Sequence, residues 1–502
     1  MESKLFANEM TTHRSWWLRG QAPKTTFPAL NGDHSTDVLV IGAGITGLSV
    51  ALELLERGRR VTVCESAMIG SGTTGGSTGH LEAMPEMGPQ RLIQVLGDVK
   101  AREYIRWRTR AIDKIQERSN RQSEFTRISA FQFTENPDDR PLIHRQFEAA
   151  SQLGLAVEWT DTIPYPQAAC GYRIDGMARM NVLAYVQNLA RLVVERGGTV
   201  FEKTQVAAPE SGKPTSLRAG AGQVSFESVV CAVHSNYTDA LRVYLQTPAY
   251  QSYVIAARIE GQLEDALFWD NCDPYHYIRR INRSEPDLIM VGGCDHRTGT
   301  GEEMAADAAL ERYVRQRFKV KKIEGSWSAE FFEPSDGMPL IGKAPGYENV
   351  WIGTGFSGVG LTWGTAAGGL IAEQILGNEA PLSDEFSPSR FGLAGAVTTL
   401  VEQAKSAANM AGNMLFSENL EGQEFAPGQG AVGKLKGRQV AICRDAEGCL
   451  HQHSPFCTHM GGVLQWNEIE QTWDCPLHGG RFAADGQRLY GPPQGNLKPA
   501  DE

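Results

Sequence analysis

The chain has 502 residues, 41% of them hydrophobic and 21% charged, which is long enough and apolar enough for two or three domains with buried cores. Its formal net charge of −11 argues against nucleic acid or an anionic membrane as a partner. No apolar run reaches transmembrane length, and MESKLFANEM has neither a basic n-region nor an apolar h-region, so the expectation is a cytoplasmic protein without a transmembrane segment.

Residues 1–36 form an irregular N-terminal segment in which Trp16 and Trp17 are expected to pin the tail to a domain surface. Asp37 to Ile41 then reads as a short buried parallel strand that runs directly into Gly42, Gly44 and Gly47, a G-x-G-x-x-G arrangement. The first glycine permits a tight turn, the second lets backbone approach a pyrophosphate, and the third lets the following helix lie close to the strand. That helix is predicted from about Thr46 to Arg57, so the amides around Ile45 and Thr46 face the phosphates, and Gly58 closes it. Val61 to Val63 gives a second strand, and Glu65 at its end is placed to hold the hydroxyls of an adenosine ribose. This fingerprint serves NAD as well as FAD.

Residues 68–86, MIGSGTTGGSTGHLEAMPE, are rich in glycine and hydroxyl groups. Gly75 and the hydroxyls of Thr73, Thr74 and Ser77 are therefore candidates to approach a flat ligand with polar edges. His80, beside this loop, is a candidate acid or base or a covalent attachment point, although a hydrogen-bonded structural role is the simpler reading. Amphipathic helices are predicted over 91–120, 137–153 and 180–196, then strands over 199–201, 205–207 and 228–233. From Tyr250 to Gly293 longer β-like runs indicate an inserted, mostly antiparallel sheet, and alternation places Tyr275, Tyr277 and Arg279 on one face as substrate-wall candidates. DGMPLIG at 336–342 supplies a tight turn. In residues 348–377 a strand meets Gly355, Gly358 and Gly360, and a helix opens near Leu361 and Thr362. A helix N-terminus there would stabilise negative charge on a reduced flavin.

Residues 393–416 read as a low-charge helix and 393–425 as helix plus linker, after which short strands mark a small β domain over 426–502. It carries CTHMGG and CPLHGG, so Cys457, His459, Cys475 and His478 form C-x-H … C-x-x-H. One thiolate and one imidazole on each of two loops suit a [2Fe–2S] centre with two cysteines on one iron and two histidines on the other. A tetrahedral zinc site uses the same four side chains. His451 and His453 precede the motif and are not expected to be ligands. The remaining cysteines, among them Cys64, Cys170, Cys231, Cys272 and Cys294, are scattered as in a reducing compartment.

With GAGITGL and Glu65, GTTGGSTG, DGMPLIG and TGFSGVGLTWGTAAGGLIA in this order, residues 37–392 resemble the D-amino-acid oxidase and glycine oxidase superfamily of FAD enzymes. WDNCDPYHYIR, GGCDHRTG and WSAEFFEPSDGMPLIG are similar to a subgroup fused to a C-terminal Rieske [2Fe–2S] domain, whose pattern also has the glycines after each half-motif and Pro476. The resemblance implies an α/β Rossmann-like FAD-binding domain, with FAD-binding parts at about 37–90, 180–240 and 335–392, and an interleaved antiparallel α+β substrate domain. A small all-β Rieske domain follows. It also implies a backbone contact from Val206 to adenine. The arginine that clamps a substrate carboxylate in the glycine-oxidase branch is replaced near Phe331 and Phe332, with Arg279 as a possible substitute. Gly462 and Leu477 stand where many Rieske domains have a bracing disulfide, and Gly480 stands near a serine that donates to a bridging sulfide in some members; a low-potential centre is implied.

The expected activity is oxidation of an amine or N-substituted amino compound, with electrons leaving FADH₂ through the Rieske cluster to an external acceptor. Two alternatives stand beside it. Electrons could enter through the cluster from a ferredoxin or partner reductase, or the protein could be a redox-sensing binding protein.

Overall fold

The computed structural model describes residues 15–19, 26–390 and 419–500. The helix read over 393–416 lies outside the described residues.

Val38–Ile41 is buried on both faces and pairs in parallel with Val61–Cys64 on one side and Ser228–Cys231 on the other. Four consecutive apolar side chains with no polar alternation are what a strand covered on both faces requires. The described six-stranded sheet runs in the order Leu340–Lys343, Val350–Thr354, Ser228–Cys231, Val38–Ile41, Val61–Cys64, Thr199–Phe201, and only Leu340–Lys343 is antiparallel to its neighbour. The helix Ile45–Glu56 buries every residue from Ile45 to Leu54 and is closed by Gly58 at φ +78°.

The helix Gly360–Ile375 lies on Ile45–Glu56. A Cβ at Gly364 would come within 2.6 Å of the Thr46 Oγ1, and one at Gly368 within 2.8 Å of the Ser49 Cβ, so two glycines one turn apart set the approach of the two helices. Through that contact both N-termini open toward the same space.

A nine-stranded sheet is interleaved with these elements. It runs from Val320–Phe332 through Ala249–Ile259, Leu288–Arg297, His276–Arg280 and Leu267–Trp269 to Thr126–Thr134, Cys170–Arg179 and His80–Leu81, with Val157–Thr160 also paired to Cys170–Arg179. Its pairings are antiparallel except that between Leu267–Trp269 and Thr126–Thr134. The predicted strand over 205–207 is reduced to an isolated bridge, Val206 with Ala219. The helix predicted over 91–120 spans Pro89–Arg118 and is interrupted at Gly97, whose φ of +69° breaks the helical run. In the N-terminal segment Trp17 is buried, and its indole Nε1 donates to the Ser77 carbonyl at 2.7 Å.

The C-terminal part is all β among its described residues. Gly430–Leu435, Arg438–Arg444 and Leu450–His453 form one antiparallel sheet; Gln465–Asn467, Thr472–Asp474, Arg481–Ala483 and Arg488–Tyr490 form another. Trp473, Phe482, Leu464 and Ala441 fill the small core between them. No described helix is long and apolar enough to cross a membrane.

Candidate functional site

A cavity of about 430 Å³ lies where the six-stranded and nine-stranded sheets meet. Gly42, Gly44, Ile45 and Thr46 line it. Gly42 sits at φ +99°, and a Cβ there would come within 2.5 Å of the Ala232 carbonyl oxygen, so this turn accepts no side chain. Gly47 is behind the wall, where any Cβ would overlap the Gly42 carbonyl oxygen. Glu65 lines the cavity, and its carboxylate accepts from the amides of Ala43 and Ala67, each at 2.9 Å. Burial pushes that carboxyl above its ordinary range, and the two amides oppose the shift.

Thr73, Thr74 and Ser77 line the same cavity. The Thr73 Oγ1 is buried without a partner, and the Thr74 Oγ1 accepts from the Ile45 amide at 3.3 Å. Gly75 does not line it; a Cβ there would overlap the Gly70 carbonyl. Val206 lines the cavity, and its carbonyl accepts the Tyr237 hydroxyl at 2.7 Å. Gly358, Gly360 and Leu361 form part of the wall, whereas Gly355 is pressed against Pro334 and the Thr362 hydroxyl donates to the Val359 carbonyl behind it.

The other end of the cavity is aromatic and acidic. His80, Trp269, Tyr275 and Tyr277 line it with Glu82, Ser252 and Asp295. His80 Nδ1 is 2.9 Å from the Thr78 Oγ1, and burial, followed by the charge of Arg279, keeps the ring neutral well below its ordinary titration range. The Tyr277 hydroxyl is 2.9 Å from the Ser252 Oγ.

Arg279 requires a correction: it does not line the cavity. Its guanidinium donates to the carbonyl of Thr78, to that of Arg280 at 2.6 Å and to that of Ile281 at 3.0 Å, and it lies over the Trp17 ring at 5.6 Å. The alternation of its strand is right, but Arg279 stands beyond the Thr78–Gly79 turn, which shields it from the cavity. It braces that turn and cannot clamp a substrate carboxylate.

Cys457, His459, Cys475 and His478 come together at the tips of two loops. The imidazole centroids are 5.1 Å apart, and the two thiols are in hydrogen-bonding contact. Backbone amides of His459 and Met460 point at the Cys457 sulfur, and those of Leu477 and His478 at the Cys475 sulfur. Contact with Cys475, then these amides, holds the Cys457 thiol below its ordinary range, so one thiolate of the pair is favoured. Burial pushes both histidines down to about 4. Thiolate and neutral imidazole are the protonation states that bind a metal. A Cβ at Gly462 would lie 2.9 Å from the Leu477 Cδ1, so the two positions face each other with no sulfur to link them. His451 and His453 are engaged elsewhere, on the Asp445 carboxylate at 2.7 Å and the Ala484 carbonyl at 3.1 Å. We therefore expect His451→Asn to keep the full iron and sulfide content per chain, and His478→Ala to lose it, as read by iron analysis and visible circular dichroism.

The two halves meet at the cluster. Tyr244, on the helix Leu241–Gln246, packs its ring tilted against His459 at 4.9 Å and edge-on to His478 at 4.7 Å, and its hydroxyl donates to the Asn236 carbonyl at 3.0 Å. Glu470 accepts from the Ser328 amide at 2.9 Å, and the Gln494 Oε1 lies 2.9 Å from the Tyr237 hydroxyl oxygen. Glu330 lines the cavity with both carboxylate oxygens buried and unpartnered, and a Cβ at Gly479 would overlap its carboxyl. Arg488, Leu489 and Gly491 of the C-terminal part line the same cavity as the glycine fingerprint.

Residues 37–374 match the family model described as FAD dependent oxidoreductase, and residues 418–500 match the Rieske [2Fe-2S] domain. The chain belongs to the FAD dependent oxidoreductase family. YhfW of Bacillus subtilis, named as a Rieske 2Fe-2S iron-sulfur protein, is 28% identical over 510 residues, covering 100% of both chains. The γ-glutamylputrescine oxidoreductase of Escherichia coli is 25% identical over 389 residues, 74% of this chain and 90% of its own. The crystal structure of glycine oxidase from Geobacillus kaustophilus superposes with a TM-score of 0.57 at 20% identity, covering 72% of this chain and all of its own, a likeness of fold.

The residues present fit both prosthetic groups of this flavoprotein. For FAD, the fit rests on the fingerprint turn that admits no side chain, the unpartnered Thr73 hydroxyl, and two helix N-termini without side-chain caps at the cavity. For the [2Fe–2S] cluster, it rests on two thiols with amides aimed at sulfur, two neutral imidazoles, and the unpartnered His459 Nδ1.

Sequence reasoning missed Glu82, Asp295, Trp269, Glu330, Tyr244 and Arg488. Glu82 and Asp295 sit inside segments already singled out, LEAMPE and GGCDHRTG, where an acid beside a glycine-rich turn was the available signal. Tyr244 and Arg488 carry no local signal, because each reaches the site across the contact between the two halves.

Proposed function

We propose that the protein oxidises an amine or N-substituted amino compound at the cavity and passes the electrons, one at a time, to an external acceptor. Bound FAD supplies the hydride acceptor, and the Rieske centre supplies a one-electron exit. The observation that carries the reading is the shared wall: Arg488, Leu489 and Gly491 border the cavity formed by the flavin motifs, and Tyr244 covers both cluster histidines. The histidine edge thus faces the flavoprotein half, the arrangement short-range transfer within one chain needs. One relative is named for γ-glutamylputrescine, an amino compound, which supports the substrate class.

The chain's own residues prepare the site. The turns at Gly42 and Gly358 present backbone rather than side chains, and the neutral His80 adds no positive charge where an amine would approach. The test is anaerobic. Purified holoprotein is mixed with a panel of amines and amino acids while flavin bleaching is followed optically and the cluster by EPR. Bleaching followed by a rhombic reduced-Rieske signal is the expected result. If no amine reduces the flavin but a reduced ferredoxin or its reductase reduces the cluster, electrons enter rather than leave by this route.

A further inference from the structure

We propose that the cavity end walled by Trp269, Tyr275 and Tyr277 is a cation subsite, in which Glu82 and Asp295 receive the ammonium of a substrate that needs no carboxylate. The inference rests on amine oxidation at this cavity and narrows its substrate class to cationic amines.

The rings converge: Tyr275 and Tyr277 have centroids 6.0 Å apart, and His80 lies 5.4 Å from Tyr277 and 6.4 Å from Trp269. Aromatic faces around a cavity attract a cation through their quadrupoles. The Asp295 Oδ1 is buried with no hydrogen-bond partner, and such an acceptor is satisfied by an N–H donor that enters with the ligand. Glu86 approaches from the side: a point one Cβ out from Gly358 lies 3.3 Å from its Oε1 and 3.1 Å from the Tyr275 hydroxyl.

No described arginine or lysine lines this end. The guanidinium that lines the cavity is that of Arg488, which interacts with Glu65 near the fingerprint. Arg279 is spent on backbone carbonyls, and Arg108, behind Glu82, donates to the Met84 and Glu82 carbonyls. A substrate carboxylate would meet acids here, whereas an ammonium meets acids and aromatic rings.

The subsite is pH-sensitive in a defined direction. Burial pushes Glu82 up to about 7, against the pull of Arg108, and Asp295 up to about 6, against its side-chain hydrogen bond with Ser252, with Glu333 raising it further and His296 and His276 opposing. Glu86 rises to about 8, by burial first, then by Glu82, Glu333 and Asp295, with Arg108 opposing. These acids lose their protons as pH rises from 6 to 8, so a permanently cationic guest binds more tightly across that window.

The probe is tert-butylammonium, which has no hydrogen on the carbon bearing nitrogen and so cannot be oxidised. Tert-butanol and pivalate serve as the neutral and anionic shapes. Binding to the flavin-loaded holoprotein is followed by the shift of the visible flavin band. We expect tert-butylammonium to bind about tenfold or more tightly than tert-butanol at pH 8, and less tightly at pH 6, with pivalate weakest. Glu82→Gln and Asp295→Asn, checked for full flavin content, should each weaken the ammonium about tenfold while leaving tert-butanol unchanged. Pivalate binding as well as the ammonium, no ammonium binding, or variants that leave ammonium affinity unaltered would each overturn the proposal. The two readings separate. Charge-selective binding with no amine able to bleach the flavin keeps the subsite and removes amine oxidation. Amine-driven bleaching with pivalate preferred does the reverse.

Discussion

Gly47→Ala yields a folded chain that no longer retains flavin. The Cβ at this position would overlap the carbonyl oxygen of Gly42 and come within 3.1 Å of the Val40 Cγ1, and neither the turn nor the buried strand can retreat. Overpacking against backbone costs roughly 1–3 kcal/mol or more. The shift falls on the turn and on the helix N-terminus that face the pyrophosphate, so flavin content should drop about tenfold or more. The ratio of visible to ultraviolet absorbance after purification reads the effect. Gly369→Ala is the control. Its Cβ meets only the Trp107 Cζ3 at an ordinary 3.5 Å, and replacing a glycine inside Gly360–Ile375 should stabilise that helix by up to about 1 kcal/mol with flavin retained. If both variants hold flavin equally, the close approach at Gly47 is not what seats the cofactor.

Arg481→Met has the second large effect, and it acts on stability. Arg481 donates through Nε to the Asp474 Oδ1 at 2.8 Å and through Nη2 to the Thr472 hydroxyl at 2.8 Å, with a further short ion pair to Glu470. Asp474 is fully buried, and burial already pushes its carboxyl above its ordinary range while Arg481 pulls it back. Removing the guanidinium leaves buried acids unpaired, which costs roughly 3–5 kcal/mol. Glu470 also accepts from the Ser328 amide at 2.9 Å, so its displacement loosens the contact between the two halves. Thermal unfolding of the holoprotein, followed in the visible circular dichroism of the cluster, should show the Rieske half melting earlier with the flavin transition moved less. An unchanged cluster transition would mean that the ion pairs contribute only packing.

The local motifs were legible because each states its chemistry within a few residues. A strand, three glycines, a helix and a terminal acid describe a dinucleotide turn without reference to the rest of the chain, and residues 37–374 belong to the flavoprotein family that turn suggested. C-x-H and C-x-x-H describe two ligand loops in the same way, and residues 418–500 match the Rieske domain.

What lay beyond a single segment was not legible. Alternation on one strand grouped Arg279 with Tyr275 and Tyr277, and only the Thr78–Gly79 turn, about two hundred positions earlier, shows that its guanidinium is already taken. The acid-lined end of the cavity depends on Glu82 and Asp295 lining one wall from segments more than two hundred positions apart. The cover over the cluster histidines depends on Tyr244, whose helix says nothing of iron. Both cofactors were readable from single segments, since phosphate turns and metal loops are built from contiguous backbone. Which charges line the cavity and which face of the cluster loops meets the flavoprotein half emerge only from the fold, because side chains far apart in the chain become neighbours only when the sheets close on one another.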